Sequence, residues 1–304
     1  MSSALILVLA MALDAVAGEP RFLWSRVPHP AVLLGRIVAW GDKSLNTGSV
    51  PRLSGVVFLA GLVFLAGLAG ILLQTLGGLV EILIVAILLA HRSLVDHVRA
   101  VARDLRLSVG DGRRAVAMIV GRDTAGMDRP EVARAAIESA AENFSDGVIA
   151  PAFWFLIAGL PGIIIYKAVN TADSMVGYLT PRHAEFGWAS ARLDDLLNWI
   201  PARLTALLLA LTGGQMSAWQ SISTDARLHR SPNAGWPEAS LARSLDVALA
   251  GPRSYEGERR EYPFVHASGQ QDIGPAEIDR ATQALWRSWF VALGLCAFVA
   301  LLAD

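Results

Sequence analysis

Apolar runs set the plan of this chain. Ala4 to Ala17 is apolar but short, and it holds Asp14. Leu53 to Ala90 is long and is interrupted by Gln74-Thr75 and Gly77-Gly78. One membrane span needs about 20 apolar residues, so this run predicts two. Val148 to Val169 is apolar but holds Pro151, Pro161 and Lys167, and Leu196 to Leu211 holds Pro201 and Arg203. Leu285 to Ala303 closes the series. The pattern predicts four spans and one or two broken ones. The expected fold is all-α, a polytopic membrane helical bundle forming a single integral domain over residues 1–304, with broken or re-entrant helices.

The polar segments carry helical signatures too. Between His91 and Arg106, Leu94, Val95, Val98, Val101, Ala102 and Leu105 fall on one face. That face suits either an interfacial helix lying on the membrane or a helix packed on its neighbours. Pro237 to Ala250 reads as a helix with proline in its first turn, ending at Gly251-Pro252.

Composition agrees with the runs. Of 304 residues, 54% are hydrophobic and only 17% charged, and the mean hydropathy is +0.45. Soluble domains carry about 25% charge. The net charge of −1 gives no reason to expect nucleic acid as a partner. A single cysteine, Cys296, excludes an intrachain disulfide framework and a cysteine-based zinc site. Ala15-Val16-Ala17 resembles a signal cleavage site, but no Lys or Arg precedes Arg21, which argues against a signal peptide.

Basic residues concentrate in three polar segments, about 18–52, 91–147 and 213–284; the second alone holds nine arginines. The positive-inside rule predicts that all three are cytoplasmic, in a multi-pass protein of the cell inner membrane. If 148–169 and 196–211 both cross, the polar loop 170–195 lands on the far side. A re-entrant 148–169, broken at Pro161-Gly162, would bring that loop to the same face as the others.

Three polar clusters are candidates for chemistry. The first runs from Glu138 through Glu142 and Asn143 to Asp146. Glu138 and Glu142 share a helix face and repel, which a divalent cation or a basic partner would relieve. The second holds Lys167, Asn170 and Asp173; the N-x-x-D spacing suits oxygen ligation of Mg²⁺, and Lys167 suits a phosphate or snorkels from a helix end. The third holds Arg192, Asp194, Asp195, Asn198 and Arg203. Neighbouring Asp194 and Asp195 point to different helix faces, so one is free to bind a metal while the other pairs with Arg192 or caps a helix. Arg203 inside an apolar run reads as functional unless it pairs with one of those acids. Arg122-Asp123 and the turn-rich His229 to Glu238 add an arginine for phosphate and a helix start for an anion. No P-loop, GxGxxG, HExxH or Gly-x-Ser-x-Gly motif is present.

Taken together, these clusters resemble the adenosylcobinamide-phosphate synthase family of cobalamin biosynthesis. The resemblance runs from Asp14 and Gly18-Glu19-Pro20, through His29-Pro30, Arg92-Ser93-Leu94 and Gly121-Arg122-Asp123-Thr124, to Glu138 through Pro151. It continues through Lys167 to Tyr178, Ala191 to Thr205, His229 to Gly235, and Tyr255-Glu256-Gly257. Ala250-Gly251 departs from it, since the family more often shows Gly-Gly there. The resemblance implies an integral membrane ligase. Such an enzyme joins (R)-1-amino-2-propanol or its O-phosphate to the free carboxylate of (adenosyl)cobyric acid, using ATP and Mg²⁺. An acyl phosphate is the expected intermediate, and the corrinoid is substrate.

On that reading, Glu138, Glu142, Asp173 and Asp194 are the catalytic candidates, and Glu142, Asp146, Asp173 and Asp195 the metal ligands. Arg122, Asp123, Asn143, Lys167, Asn170, Arg192, Arg203, His29, His229 and Asn233 would bind substrate or phosphate. Expected partners are the lipid bilayer, other membrane enzymes of cobalamin assembly and a second copy of the chain, since Gly61, Gly67 and Gly70 permit close helix contact. Two other classes compete: an Mg²⁺-dependent intramembrane lipid or prenyl transferase, and a non-enzymatic transporter with broken helices.

Overall fold

The structure is a computed structural model that describes residues 1–255 and 257–303. It is an all-α polytopic helical protein, as the apolar runs predict. Helices long and apolar enough to cross a membrane lie within 51–74, 78–107, 129–176 and 275–302, while 3–17 and 199–212 form shorter apolar helices. The chain packs into two compact units. One takes residues 1–90, 150–199 and the chain from 296 on; the other takes 91–149 and 200–295.

The first unit contains α1 (Ser3–Ala17), the single turn α2 (Arg21–Trp24), α3 (Pro30–Leu45), α4 (Pro51–Gln74) and α5 (Gly78–Leu88). The chain returns to it with α9 (Ala150–Val176) and α10 (Trp188–Leu197). Its core joins α3, α4 and α9 through Val38, Phe58, Leu62, Ala66, Ala168, Ala172 and Val176, with the Phe186 ring stacked on Phe58 at 5.9 Å. Gly70 lets α4 approach the backbone of α9 at Pro161, where any side chain would collide. Gly67 and Gly70 are thus used inside the unit.

Helix α9 is broken just before the predicted Pro161-Gly162. Pro161 lacks an N–H and its ring clashes with the carbonyl four residues back. The chain leaves helical geometry at Ala158 and at Gly159, whose φ of 62° suits glycine.

The second unit contains α6 (His91–Leu107), α7 (Val109–Val116), α8 (Arg129–Phe144), α11 (Trp199–Thr212), α12 (Trp219–Ala226) and α13 (Gly235–Leu245). Its strands are β1 (Leu249–Ala250), β2 (Arg253–Tyr255), β3 (Glu258–Arg260) and β4 (Phe264–Val265), paired β1 with β4 and β2 with β3, both antiparallel. α14 (Pro275–Ala303) begins in this unit. The six apolar residues of the α6 face are all buried and pack toward α7 and α8, so this face serves helix packing. His91 opens α6 fully buried between Trp286 and Trp289. α8 starts at a capping box of Asp128 and Glu131. It leads through a π-turn, Ser145–Ile149, into α9. Pro151 explains that turn, because it has no N–H to return to Gly147.

One helix ends earlier than expected. α13 stops at Leu245, where Asp246 takes a left-handed φ of 55°, and the chain then forms β1. The predicted Gly251-Pro252 stop lies beyond the helix.

Candidate functional site

The second unit gathers a buried ionic cluster. Glu138 stands on the inner face of α8. Arg122, in the segment before α8, donates from Nη2 to Glu138 Oε2 at 2.8 Å. The Ala250 N–H donates to Glu138 Oε1 at 2.6 Å, and Arg253 Nη2 approaches the same oxygen at 3.5 Å. Glu138 and Arg122 side chains are only 6% and 7% exposed. Basic partners thus compensate Glu138, while Glu142 is exposed. Ala250 and Gly251 both hold positive φ, 59° and 74°, which turns the Ala250 N–H toward Glu138 and starts β2 at Arg253. The departure from Gly-Gly thus places alanine in a left-handed conformation.

His229 and Glu238 adjoin this cluster. His229 Nδ1 accepts the Ser231 N–H at 3.0 Å, and Nε2 lies 3.6 Å from Glu238 Oε1. Glu238, in the first turn of α13, is 2% exposed, and its Oε2 has no hydrogen-bond partner among the described residues. Burial, then the charges of Glu138 and Glu142, hold its pKa well above the usual carboxylate value, against Arg253 and Arg122. Burial and the Arg253 charge lower that of His229. Both shifts run toward the neutral forms of the two groups.

Asp123 anchors the neighbouring hairpin: its Oδ2 accepts the Gly257 N–H at 2.7 Å. Glu256, in the motif Tyr255-Glu256-Gly257, lies outside the described residues. Glu142 and Asn143 are exposed at the end of α8, Asn143 Nδ2 donating to the Ser139 carbonyl at 2.9 Å, and Asp146 is half-buried in the π-turn. Arg203 donates to Asn233 Oδ1 at 3.1 Å and stands 4.8 Å from the Trp236 ring centroid.

The first unit holds a second cluster of different character. Asp194 on α10 is 9% exposed. It accepts from Asn170 Nδ2 at 3.2 Å and from Asn198 Nδ2 at 3.0 Å, while Tyr166 Oη donates to Asn198 Oδ1 at 2.9 Å. Burial pushes its pKa up to about 6, against the two amide hydrogen bonds and with the Asp195 charge adding. Asp195 pairs instead with Arg192 at 3.1 Å on the exposed side, so the two acids do point apart. The Asp173 carboxylate lies over Gly177, where a Cβ would strike it. His29 caps α3 by accepting the Ala31 N–H at 3.2 Å. Burial lowers its pKa, opposed by the charge of Glu19 and helped by that of Lys167.

Sequence reasoning missed Glu238 and Arg253. A glutamate in a first helical turn reads as an ordinary partner of the helix dipole. Arg253 lies between a Gly-Pro turn and the Tyr255-Glu256-Gly257 motif, outside both. Its Glu138 contact spans 115 residues of sequence.

Apolar helices carrying two buried carboxylate clusters define a polytopic membrane protein with polar sites inside its packed units. The family model CobD/Cbib matches residues 7–285, and the chain belongs to that family. The chain is 48% identical over 310 aligned positions to the cobalamin biosynthesis protein CobD of Brucella suis, covering 96% of this chain and 95% of that one. It is 45% identical to the protein of that name from a Sinorhizobium species, over 98% of both chains. The Rhodobacter capsulatus protein is also 45% identical, over 94% of both. No solved structure matches.

Proposed function

We propose that this chain is the cobalamin-biosynthesis ligase that forms an amide between the free carboxylate of (adenosyl)cobyric acid and (R)-1-amino-2-propanol or its O-phosphate. The observation that carries the reading is the buried cluster of Arg122, Glu138, Arg253, His229 and Glu238, in a chain whose relatives are named for cobalamin biosynthesis. Those names also weigh against a lipid transferase or a transporter.

A carboxylate is a poor electrophile at neutral pH. In this reading ATP transfers its γ-phosphoryl group to it, giving an acyl phosphate and ADP. The amine nitrogen attacks the acyl carbon, and the C–O bond to phosphate breaks as the C–N bond forms. Phosphoryl transfer is helped mainly by positioning and by cations, and Arg122 and Arg253 supply fixed positive charge. The ammonium group of the substrate has to lose a proton before it attacks. That task suits a carboxyl group whose proton is held near neutral pH, a property that Asp194 has within its own unit. Mg²⁺ enters with ATP as part of the co-substrate. Among the described residues no three His, Cys, Asp or Glu side chains gather as a metal site. Mg²⁺ needs fewer, because it keeps waters and uses nucleotide phosphates with one or two carboxylates. The reading places the site on the cytoplasmic side of the inner membrane, where ATP is present.

The test is reconstitution of the purified chain with adenosylcobyric acid, ATP, Mg²⁺ and either amine, read by mass spectrometry. An amide product that requires ATP and Mg²⁺ is expected, and the two amines run side by side identify the true one. Corrinoid binding without product in every combination would sink the reading.

A further inference from the structure

In the first unit, α3 has two unlike faces. Leu34, Val38 and Leu45 turn inward onto the core shared with α4 and α9, and Gly41 lies against the Phe58 ring. The outer face leaves Leu33, Ile37 and Trp40 exposed at 44%, 45% and 60%. Spacings of four and three residues make these one apolar stripe. Arg36 and Lys43 are also exposed. At 100° per residue they fall nearly in line with each other, on the stripe beside it. With 16 residues α3 is about 24 Å long, short of the roughly 30 Å hydrocarbon core of a bilayer. It packs on α4 and α9, which belong to runs long and apolar enough to cross a membrane, so its outer face borders the bilayer without spanning it.

The charge on this face has one sign. Segment 18–52 holds five basic residues, Arg21, Arg26, Arg36, Lys43 and Arg52, against two acids, Glu19 and Asp42. Asp42 is the only acid of α3, and it lies on another face, where Arg182 Nη2 at 2.8 Å and Asn46 Nδ2 at 2.9 Å donate to it. The side chains of Arg36 and Lys43 make no ion pair or hydrogen bond among the described residues. In the same unit, the Arg52 guanidinium at the start of α4 stands 4.0 Å from the centroid of the Trp188 ring, which is exposed. Tryptophan rings settle at the headgroup level of a membrane, and basic side chains reach from apolar surroundings to the same level.

We propose that the outer face of α3 is a docking surface for an anionic phospholipid leaflet. Leu33, Ile37 and Trp40 enter the upper acyl region, as the apolar face of an interfacial helix does. Arg36 and Lys43 extend beside them to the headgroup phosphates. Charge selects the lipid. Two basic side chains with no protein acid to offset them attract a headgroup of net negative charge, whereas a zwitterionic headgroup brings none. Seated in this way, α3 sets the depth of α4 and α9, on which it packs.

The test uses the full chain in vesicles of phosphatidylcholine mixed with phosphatidylglycerol. One lipid at a time carries bromine on its acyl chain, and the quenching of Trp40 is read as the difference between wild type and Trp40→Phe. Bromine near the headgroup end of the chain is expected to quench Trp40 more than bromine at its tip. Brominated phosphatidylglycerol should quench more than brominated phosphatidylcholine at equal mole fraction, a local preference on the order of fivefold for each basic residue. Added salt should reduce that preference. Arg36→Gln combined with Lys43→Gln should remove most of it and leave the thermal midpoint unchanged. Equal quenching by the two lipids, or an undiminished preference in the double variant, would overturn the anionic leaflet as the occupant. Strongest quenching from the chain tip would overturn the interfacial position. No quenching by either lipid would overturn the docking surface, whether water or a second copy of the chain covers Trp40. If the double variant does not fold, a wild-type preference insensitive to salt is the overturning result. No ATP or corrinoid enters the assay, so its outcome is independent of the ligation reading.

Discussion

Glu138 and Asp194 are both nearly buried carboxylates on helices, yet their surroundings give them opposite tasks. Glu138 faces two arginines and a backbone N–H. It is an anchor that holds Arg122 and Arg253 in place. Asp194 faces two neutral amides and, among the described residues, no cation within hydrogen-bonding distance. Its hydrogen bonds are satisfied but its charge is not, so burial dominates and its proton is held to about pH 6. A buried carboxylate given cations builds structure; one given amides becomes a group that can exchange a proton.

Removing the anchor should have the largest effect. Glu138→Gln leaves two arginines buried without their anion, and breaking such a pair costs roughly 3–5 kcal/mol. The thermal midpoint in detergent should drop sharply; a wild-type midpoint would mean that the arginines have other anions and that the contrast is false. Asp194→Asn should do the reverse, sparing the fold and lowering turnover about 10²-fold. Wild-type turnover should rise with pH through about 6 as Asp194 loses its proton, and this limb should be missing in the variant. The stability sign follows from the same shift. A carboxyl whose folded pKa is raised stabilises most below its ordinary value, and that contribution is lost as pH rises through the folded value. Asp194→Asn should therefore show no extra loss of stability at neutral pH.

Glu238→Gln sharpens the comparison further. Its folded pKa is raised too, so wild-type stability should decline as pH climbs above the ordinary glutamate range. The variant should hold its midpoint there, and an identical decline in both would assign the titration to another group. The smallest effect is expected at Arg192→Ala. The Arg192–Asp195 pair is solvent-exposed, and such pairs contribute about 0–1 kcal/mol. A turnover defect with an unchanged midpoint would show that Arg192 serves substrate.

Much of this molecule was legible along the chain. Runs of apolar residues named the long helices. Pro161 named the break in α9, and the period of the 91–106 segment picked out the apolar residues that α6 buries, though not His91. Spacing also separated Asp194 from Asp195 correctly, because adjacent positions on a helix point 100° apart. It could not tell whether Glu138 would meet a metal or an arginine. Both relieve the same repulsion, and Arg253 is reached only by a turn through two left-handed residues.

The sequence by itself determined that this is a helical membrane protein and where its helices break. Periodicity and hydrophobic length are local properties, so they survive without knowledge of the fold. Only the tertiary structure decided what surrounds each buried acid. A carboxyl group's charge state depends on the cations, amides and burial that distant segments bring to it, and those contacts leave no local pattern to read.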